Sequence, residues 1–136
     1  MNFWHLNTSN NINKNSMLTH NLGYIGLGTI HDNVYQNRLK KYGTTPHQFK
    51  QFQQNAKKGD IIFLYHNKVG YIAYGEYNGI VINSTIAPGW SDYEVQKHLI
   101  IKKWNKIDNP STKHFRRKTL VIIKETDYFN SLINEL

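Results

Sequence analysis

Short apolar runs separated by polar and glycine-containing breaks follow one another along the chain, and their lengths are typical of β-strands. The predicted strands lie at residues 2–6, 23–30, 61–67, 71–77 with a continuation at 79–83, 98–107 and 118–124. The run at 61–67 is apolar without alternation, which indicates a central strand buried on both faces. The turn at 67–70 then predicts an antiparallel hairpin with the next run.

Two segments have the periodicity of amphipathic helices. In the first, Thr45 can cap the helix, Pro46 occupies the first helical position and Gly59 ends it. Its apolar face is formed by Phe49, Phe52 and Ala56. The second follows the capping residue Thr126 and closes the chain, with an inward face of Phe129, Leu132, Ile133 and Leu136.

The stretch at residues 7–21 is rich in Asn, Ser and Thr, whose side chains bond their own backbone, so we predict a loop with one helical turn at 16–20. Most strands are joined by short turns, and we find no repeat and no linker. The pattern therefore predicts one α+β domain over residues 1–136. Its sheet is expected to be curled, six-stranded and mainly antiparallel, or an open barrel, with two or three helices packed outside.

The positive charge of the chain indicates a class of binding partner. The formal net charge is +8 and the pI is about 9.6. Residues 1–59 contain one acid, Asp32, against seven Lys and Arg, and residues 102–118 hold seven basic residues and one acid, Asp108. Clustered positive charge favours polyanions such as DNA or RNA, although a soluble protein can also be basic without such a partner.

Several other function classes find no support in the sequence. It has no apolar run long enough to span a membrane and no secretory signal, and the absence of cysteine fits a cytoplasmic or nuclear protein. The seven histidines form no metal-binding motif, and there is no phosphate loop or nucleophile elbow. We therefore expect no metal, no cofactor and no catalytic residue.

Aromatic side chains on or beside the predicted sheet fit a surface on which nucleobases stack. They are Tyr24, Tyr65, Tyr71, Tyr74, Tyr77, Trp90 and Trp104. Most could equally be core residues, and for Trp104 in its strand we expect core packing. Trp90 differs, because it follows Pro88-Gly89 in a polar loop where a core tryptophan is less expected.

The order of these segments resembles the PUA-like superfamily, in its EVE and YTH branches. FWHLNTSNN resembles the aromatic strand and polar loop of YTH domains, and GYIGLGT stands at their second strand. AKKGDIIFLYHNKVGYIAYGEYNG resembles the shared hairpin, and HLIIKKWNKI resembles the later strand that ends in Trp. The EVE branch includes the DNA-reading ends of modification-dependent restriction GTPases.

The resemblance implies a reader module that holds one modified base, methylated in the typical case, in an aromatic pocket. Trp90 matches the loop tryptophan of that pocket, and Tyr24 is the aromatic that the second strand offers in place of the family's tryptophan. The polar loop that bonds the base edge is matched by Asn7, Thr8, Ser9 and Asn10. The hairpin end beside the pocket is matched by Tyr65, His66 and Asn67. On charge alone, the expected phosphate-binding residues are Lys40, Lys41, Arg116, Arg117 and Lys118.

Two other functions stay open at the level of sequence. One is a general RNA-binding or protein-interaction module without preference for a modified base. The other is a small enzyme acting on a nucleotide, with His66 or Asp60 as the base. If the chain is the reading end of a longer protein, its expected partner is a motor or nuclease module on the same or another chain.

Overall fold

Six strands and three helices make up the parts of the chain that the structure, a computed structural model, describes: residues 1–8, 11–28, 45–84, 95–114, 116 and 118–134. The strands are β1 (Phe3–Thr8), β2 (Leu22–Gly28), β3 (Ile61–His66), β4 (Gly70–Ser84), β5 (Val95–Lys106) and β6 (Leu120–Ile123). The helices are α1 (Asn11–His20), α2 (Thr45–Asn55) and α3 (Asp127–Asn134). No helix within these ranges is long and apolar enough to cross a membrane.

The strands form one sheet in the order β2-β5-β4-β3-β1-β6. Every adjacent pair is antiparallel except β1 and β3, which run parallel with Phe3 opposite Ile61 and Thr8 opposite His66. Parallel neighbours need a long crossover, and here the chain passes through α1, β2 and α2 between them. The predicted α+β, mainly antiparallel six-stranded sheet is therefore confirmed.

The sheet curls until its edge strand β2 meets β1, four strands away in the sheet order. Gly23 in β2 packs directly on Leu6 in β1, since a Cβ added at Gly23 would lie 2.9 Å from Leu6 Cδ2. A Cβ at this position would displace the end of the Leu6 side chain, so glycine permits the close approach. The close approach brings the start of β2 to the carboxyl half of β1, where the candidate site lies.

Apolar cores cover both faces of the sheet. The first core lies under α1 and α2 and includes Met17 and Phe52, and the second lies under α3 and includes Phe63 and Phe129. Trp104 belongs to the first core, where its Nε1 donates to Leu22 O at 3.1 Å, so its predicted core role is confirmed.

The predicted helical faces are confirmed in the described residues. Phe49 and Phe52 of α2 and Phe129 and Leu132 of α3 are buried, and Ile133 is half-buried. Leu136 lies outside the described residues. Continuous burial of β3 from Ile62 to Tyr65 likewise confirms a strand covered on both faces.

One prediction of local structure was wrong. Residues 11–20, expected as a loop with a single turn, form the ten-residue helix α1. Asparagine has low intrinsic helix propensity, but Asn13 and Met17 are buried one turn apart against the sheet. Tertiary packing of that stripe outweighs the local preference for a turn.

Candidate nucleic-acid interface

The carboxyl end of β1 carries two buried side-chain oxygens that have no hydrogen-bond partner in the described parts of the chain. Thr8 is only 3% exposed, and its Oγ1 and the Asn7 Oδ1 are buried without a hydrogen-bond partner among the described residues. Leaving a buried polar atom unpaired costs about 1–3 kcal/mol, so such atoms are normally satisfied by water or a ligand. Because successive side chains of a strand alternate between the faces of the sheet, the two oxygens, which we call the β1 oxygens, are buried acceptors on different faces at the same strand end.

The backbone around the β1 oxygens is, in contrast, fully engaged. Asn7 N donates to Thr119 O at 2.8 Å, and Asn67 N donates to Thr8 O at 3.0 Å. The His66 Nδ1 also contacts Thr8 O, at 3.3 Å. These bonds fix the strand end rigidly, so the unpaired side-chain oxygens do not result from a frayed terminus.

The predicted hairpin residues lie beside this strand end. Register places Tyr65 opposite Asn7 and His66 opposite Thr8, and Asn67 follows in the turn. His66 is half-buried and Asn67 is exposed, so both can border a bound molecule. Tyr65 lies inside the second core, with its ring 5.0 Å from that of Tyr71. A role for Tyr65 in binding a base stays a prediction.

Tyr24 is buried between α1 and β5. Its hydroxyl is 2.7 Å from Ser16 Oγ, and its ring lies 4.4 Å from the His98 ring in a tilted arrangement. The His98 Nε2 is buried without a partner in the described parts of the chain, and burial lowers the pKa of His98. Tyr24 is thus held in place beside an unsatisfied ring nitrogen. Its predicted stacking on a base is not tested by these contacts.

Six predicted site residues lie outside the described residues: Ser9, Asn10, Lys40, Lys41, Trp90 and Arg117. Their assignments stay predictions.

The basic segment at residues 111–118 is anchored beside β1. The backbone of Ser111 packs on Gly70, where a Cβ would lie 2.6 Å from Ser111 O. Farther along, His5 Nε2 lies 2.9 Å from Lys118 O, and the Gln48 side chain accepts from the next two backbone N–H groups at 3.0 Å. The structure therefore brings the predicted residues Arg116 and Lys118 close to the β1 oxygens.

This segment forms one wall of a cavity of about 530 Å³, which we call the basic trough. Its lining residues are Lys113, His114, Arg116, Lys118, Val121, Ile122, Lys124 and Glu125. Four permanently cationic side chains face one carboxylate, so the trough is suited to the phosphates of a nucleic-acid strand. Lys113 and Lys124 were not among the predicted phosphate-binding residues, although Lys113 lies within the basic cluster at 102–118 and Lys124 lies just beyond it.

A second cavity, of about 360 Å³, opens between α1 and strands β4 and β5. Its lining residues are Lys14, Leu18, Ile72, Ala73, Trp104 and Lys106. The sequence did not predict it, because its walls come from three separate segments.

Asp60, the alternative candidate for a catalytic base, has a structural role. Its carboxylate accepts from Trp4 Nε1 at 3.1 Å and from the backbone N–H groups of Lys57 and Asn2 at 3.0 Å. The residue is buried and ties the first strand to the start of β3. Within the described ranges, no group of three or more metal-ligating side chains could hold an ion.

Neither protein-family models nor the curated proteins give a match to this sequence. Solved structures, in contrast, do match this chain. The MmI1 YTH domain matches with a TM-score of 0.54 at 12% identity, over 99% of this chain and 96% of that chain. The fold of this chain is thus similar to that of a YTH domain. The YTH domain of Zygosaccharomyces rouxii MRB1, solved in complex with N6-methyladenosine RNA, matches with a TM-score of 0.50 at 11% identity.

The second match covers 98% of this chain and 83% of the Zygosaccharomyces rouxii protein. The YTH part of the expected resemblance is therefore confirmed at the level of the fold. The EVE part and the likeness to DNA-reading ends of restriction GTPases stay predictions. At these identities the YTH fold by itself does not transfer a ligand to this chain.

Proposed function

We propose that this chain is a nucleic-acid-binding reader module that holds one modified base at the carboxyl end of β1. The observation that carries the proposal is the pair of buried, unpartnered β1 oxygens next to the basic trough. The fold supports it, because one of the matching YTH domains is solved with N6-methyladenosine RNA. The enzymatic alternative with Asp60 as the base loses support, since the Asp60 carboxylate accepts three structural hydrogen bonds.

In this proposal the base edge is read by the polar strand end. Asn7 and Thr8, with Ser9 and Asn10, present oxygens and amides to the edge of a flat heterocycle. A base with the wrong pattern of donors and acceptors would leave the β1 oxygens unpaired, and binding it would cost about 1–3 kcal/mol. His66 and Asn67 border the same opening.

The modification is proposed to be recognised by aromatic side chains. Trp90 stacks on the base, with Tyr24 on the wall contributed by β2. Burying one methyl carbon among aromatic rings is worth about 0.8 kcal/mol, and stacking adds about 1–3 kcal/mol per base. A base inside a duplex hides its faces, so the substrate is a single strand or an extruded nucleotide.

The phosphates on either side of that base are proposed to lie in the basic trough. Arg116 and Lys118 are joined there by Lys113 and Lys124. Lys40, Lys41 and Arg117 extend the cationic surface. These contacts give affinity that falls with salt and carries no sequence information, whereas the polar strand end and the aromatic pair give specificity.

The proposal is tested by titrating the protein with short, fluorescently labelled oligonucleotides. The panel pairs unmodified RNA and DNA with strands that carry N6-methyladenine, 5-methylcytosine or 5-hydroxymethylcytosine, each single- and double-stranded. We expect one modified strand to bind about fourfold more tightly than its unmodified partner, because the buried methyl contributes about 0.8 kcal/mol.

Trp90→Ala is expected to abolish that preference, and Trp90→Phe, which keeps an aromatic face, is the matched control that should retain most of it. Equal affinity of the wild-type protein for every matched pair would overturn modified-base recognition and favour a general RNA-binding module. A preference that persists in Trp90→Ala would remove Trp90 from the site.

A further inference from the structure

Three polar side chains from distant parts of the chain form a buried chain that ends in the basic trough. His5 Nδ1 lies 2.8 Å from the Tyr71 hydroxyl, and Arg116 Nη1 lies 3.3 Å from the same hydroxyl. Arg116 Nη1 also donates to His114 O at 2.9 Å. The guanidinium carbon sits 5.4 Å from the centre of the Phe129 ring. Arg116 is therefore held by three neighbours.

The hydrogen-bond partners of His5 determine its tautomer. Its Nε2 faces the Lys118 carbonyl at 2.9 Å, and a carbonyl can only accept, so Nε2 carries the proton. The Nδ1 is then an acceptor for the Tyr71 hydroxyl. Burial lowers the pKa of His5 to about 4, although the bond to Lys118 O raises it, and the charge of Arg116 lowers it further. The neutral ring is consequently the form present at neutral pH.

Tyr71 cannot move its hydroxyl away from this arrangement. The side chain is completely buried, and its ring packs edge-on against Tyr65 and Phe129, each 5.0 Å away. Burial raises the pKa of Tyr71 to about 12, while the hydrogen bond from Arg116 acts in the opposite direction, so the hydroxyl remains protonated. The hydroxyl lies 2.8 Å from His5 Nδ1 and 3.1 Å from His114 O, so its one proton is shared between these two acceptors while its oxygen accepts from Arg116.

We propose that His5 and Tyr71 are positioning residues that hold the Arg116 guanidinium at the wall of the basic trough, ready to bind a phosphate. This inference rests on the proposed function, because it assumes that the trough binds a nucleic-acid strand. The protein contacts described for Arg116 engage Nη1, and a guanidinium has further donors on Nη2 and Nε for the bidentate geometry that phosphates favour. Holding a long side chain before binding reduces the rotamer entropy lost on binding.

The test compares two buried tyrosines on the same strand. Tyr71→Phe removes the hydroxyl that holds Arg116. Tyr74→Phe is the matched control, because the Tyr74 hydroxyl is also buried in the second core but has no partner among the described residues. The probe is an unmodified single-stranded RNA octamer at fixed salt. We expect Tyr71→Phe to weaken binding about fivefold and Tyr74→Phe to leave it within about twofold.

A double-mutant cycle with Arg116→Ala separates positioning from a general effect on packing. We expect Arg116→Ala to weaken binding about tenfold, and Tyr71→Phe to have no further effect in that background. If Arg116→Ala leaves the affinity unchanged, the trough is not the phosphate site, and the proposed function loses its phosphate contacts. If Arg116→Ala weakens binding but Tyr71→Phe has no effect, or adds the same factor in both backgrounds, the positioning inference alone is overturned.

NMR on the free protein tests whether Arg116 is held in place before any nucleic acid binds. A guanidinium held by Tyr71 and His114 O rotates slowly about its Nε–Cζ bond, so we expect separate Nη1 and Nη2 signals for Arg116. The signals should merge in Tyr71→Phe and stay separate in Tyr74→Phe. A single averaged signal in the wild-type protein would overturn the inference without affecting the base pocket.

Discussion

His5 and Thr8 lie on the same short strand and are both buried, yet their hydrogen bonding is opposite. Both ring nitrogens of His5 have partners within the protein, Tyr71 and the Lys118 carbonyl. Thr8 Oγ1, three residues later, has none among the described residues, and neither has Asn7 Oδ1. The comparison separates a position where buried polar atoms are satisfied within the protein from one where we propose that a bound molecule completes the network.

Burial alone therefore does not identify the candidate site, since β1 is buried along most of its length. What distinguishes its two halves is whether the buried polar side-chain atoms have hydrogen-bond partners. A satisfied buried group rigidifies its surroundings, whereas an unsatisfied one is tolerated where a ligand or water supplies the missing bond. The predictions below test each half of this comparison.

The largest expected effect is the loss of folding stability at low pH that is caused by the buried His5. The pKa of His5 is about 4 in the folded protein against about 6.5 when unfolded, so the unfolded chain binds the proton first as pH falls. The stability that His5 contributes is fully present above pH 6.5 and is lost between pH 6.5 and about 4. The loss is about 3 kcal/mol in the free energy of unfolding, and His98, whose pKa is also lowered, adds in the same direction.

Urea denaturation from pH 7.5 down to pH 4 measures this loss, and His5→Gln should flatten the pH dependence while lowering stability overall. His20→Gln, at an exposed position on α1, is the matched control and should leave the slope as in the wild-type protein. A flat wild-type profile across this range would show that His5 is not the neutral, buried ring described here.

An intermediate effect is expected at Thr8, whose side-chain oxygen has no partner among the described residues. Thr8→Val keeps the shape of the side chain but removes its unpartnered hydroxyl. We expect the free energy of unfolding to stay the same or rise by up to about 1 kcal/mol, because a buried unpaired group is lost. Binding of the preferred modified oligonucleotide should weaken about tenfold, because the base edge loses an acceptor.

Chemical denaturation and oligonucleotide titration together measure this split, with Thr19→Val at an exposed site on α1 as the matched control. Loss of stability without loss of affinity would mean that Thr8 Oγ1 has a structural partner, and the contrast with His5 would disappear.

The smallest effect is expected at the rim of the basic trough. Lys118→Ala and Lys124→Ala should each weaken binding to modified and unmodified single strands by the same factor. Each should reduce the slope of log affinity against log salt by about 0.7, because one fewer phosphate is neutralised. Lys50→Ala, on the exposed face of α2, is the control and should leave the slope unchanged. A change in base preference in either trough variant would contradict the division between phosphate contacts and base recognition.

Periodicity in the sequence predicted much of the fold because the relevant interactions are local. The apolar run at 61–67 and the turn that follows it predicted β3 and β4. The helical spacing of Phe49 and Phe52 predicted α2, and that of Phe129 and Leu132 predicted α3. Helix α1 was missed because its buried stripe, Asn13 and Met17, is short and half polar. The parallel pairing of β1 with β3 has no local signature, since it depends on a crossover through three other elements.

Part of the candidate site could also be predicted from the sequence. Asn7 and Thr8 were placed at a base edge by resemblance, and the structure adds that both carry buried oxygens without partners in the described residues. His5 and Tyr71 could not be found, because the bond between them joins two chain positions far apart and neither stands in a motif. Lys124 was within reach of charge counting but lay just beyond the counted cluster.

The insertion of β1 between β3 and β6 has a consequence for biosynthesis. Phe3 and Leu6 pair with Ile123 and Leu120, so β1 is synthesised long before the strand that encloses it. Until residue 123 has emerged, β1 lacks its β6 neighbour, and contacts so distant in the chain form slowly. The proposed recognition of a nucleic acid at β1 thus depends on an element that is made much later than β1 itself.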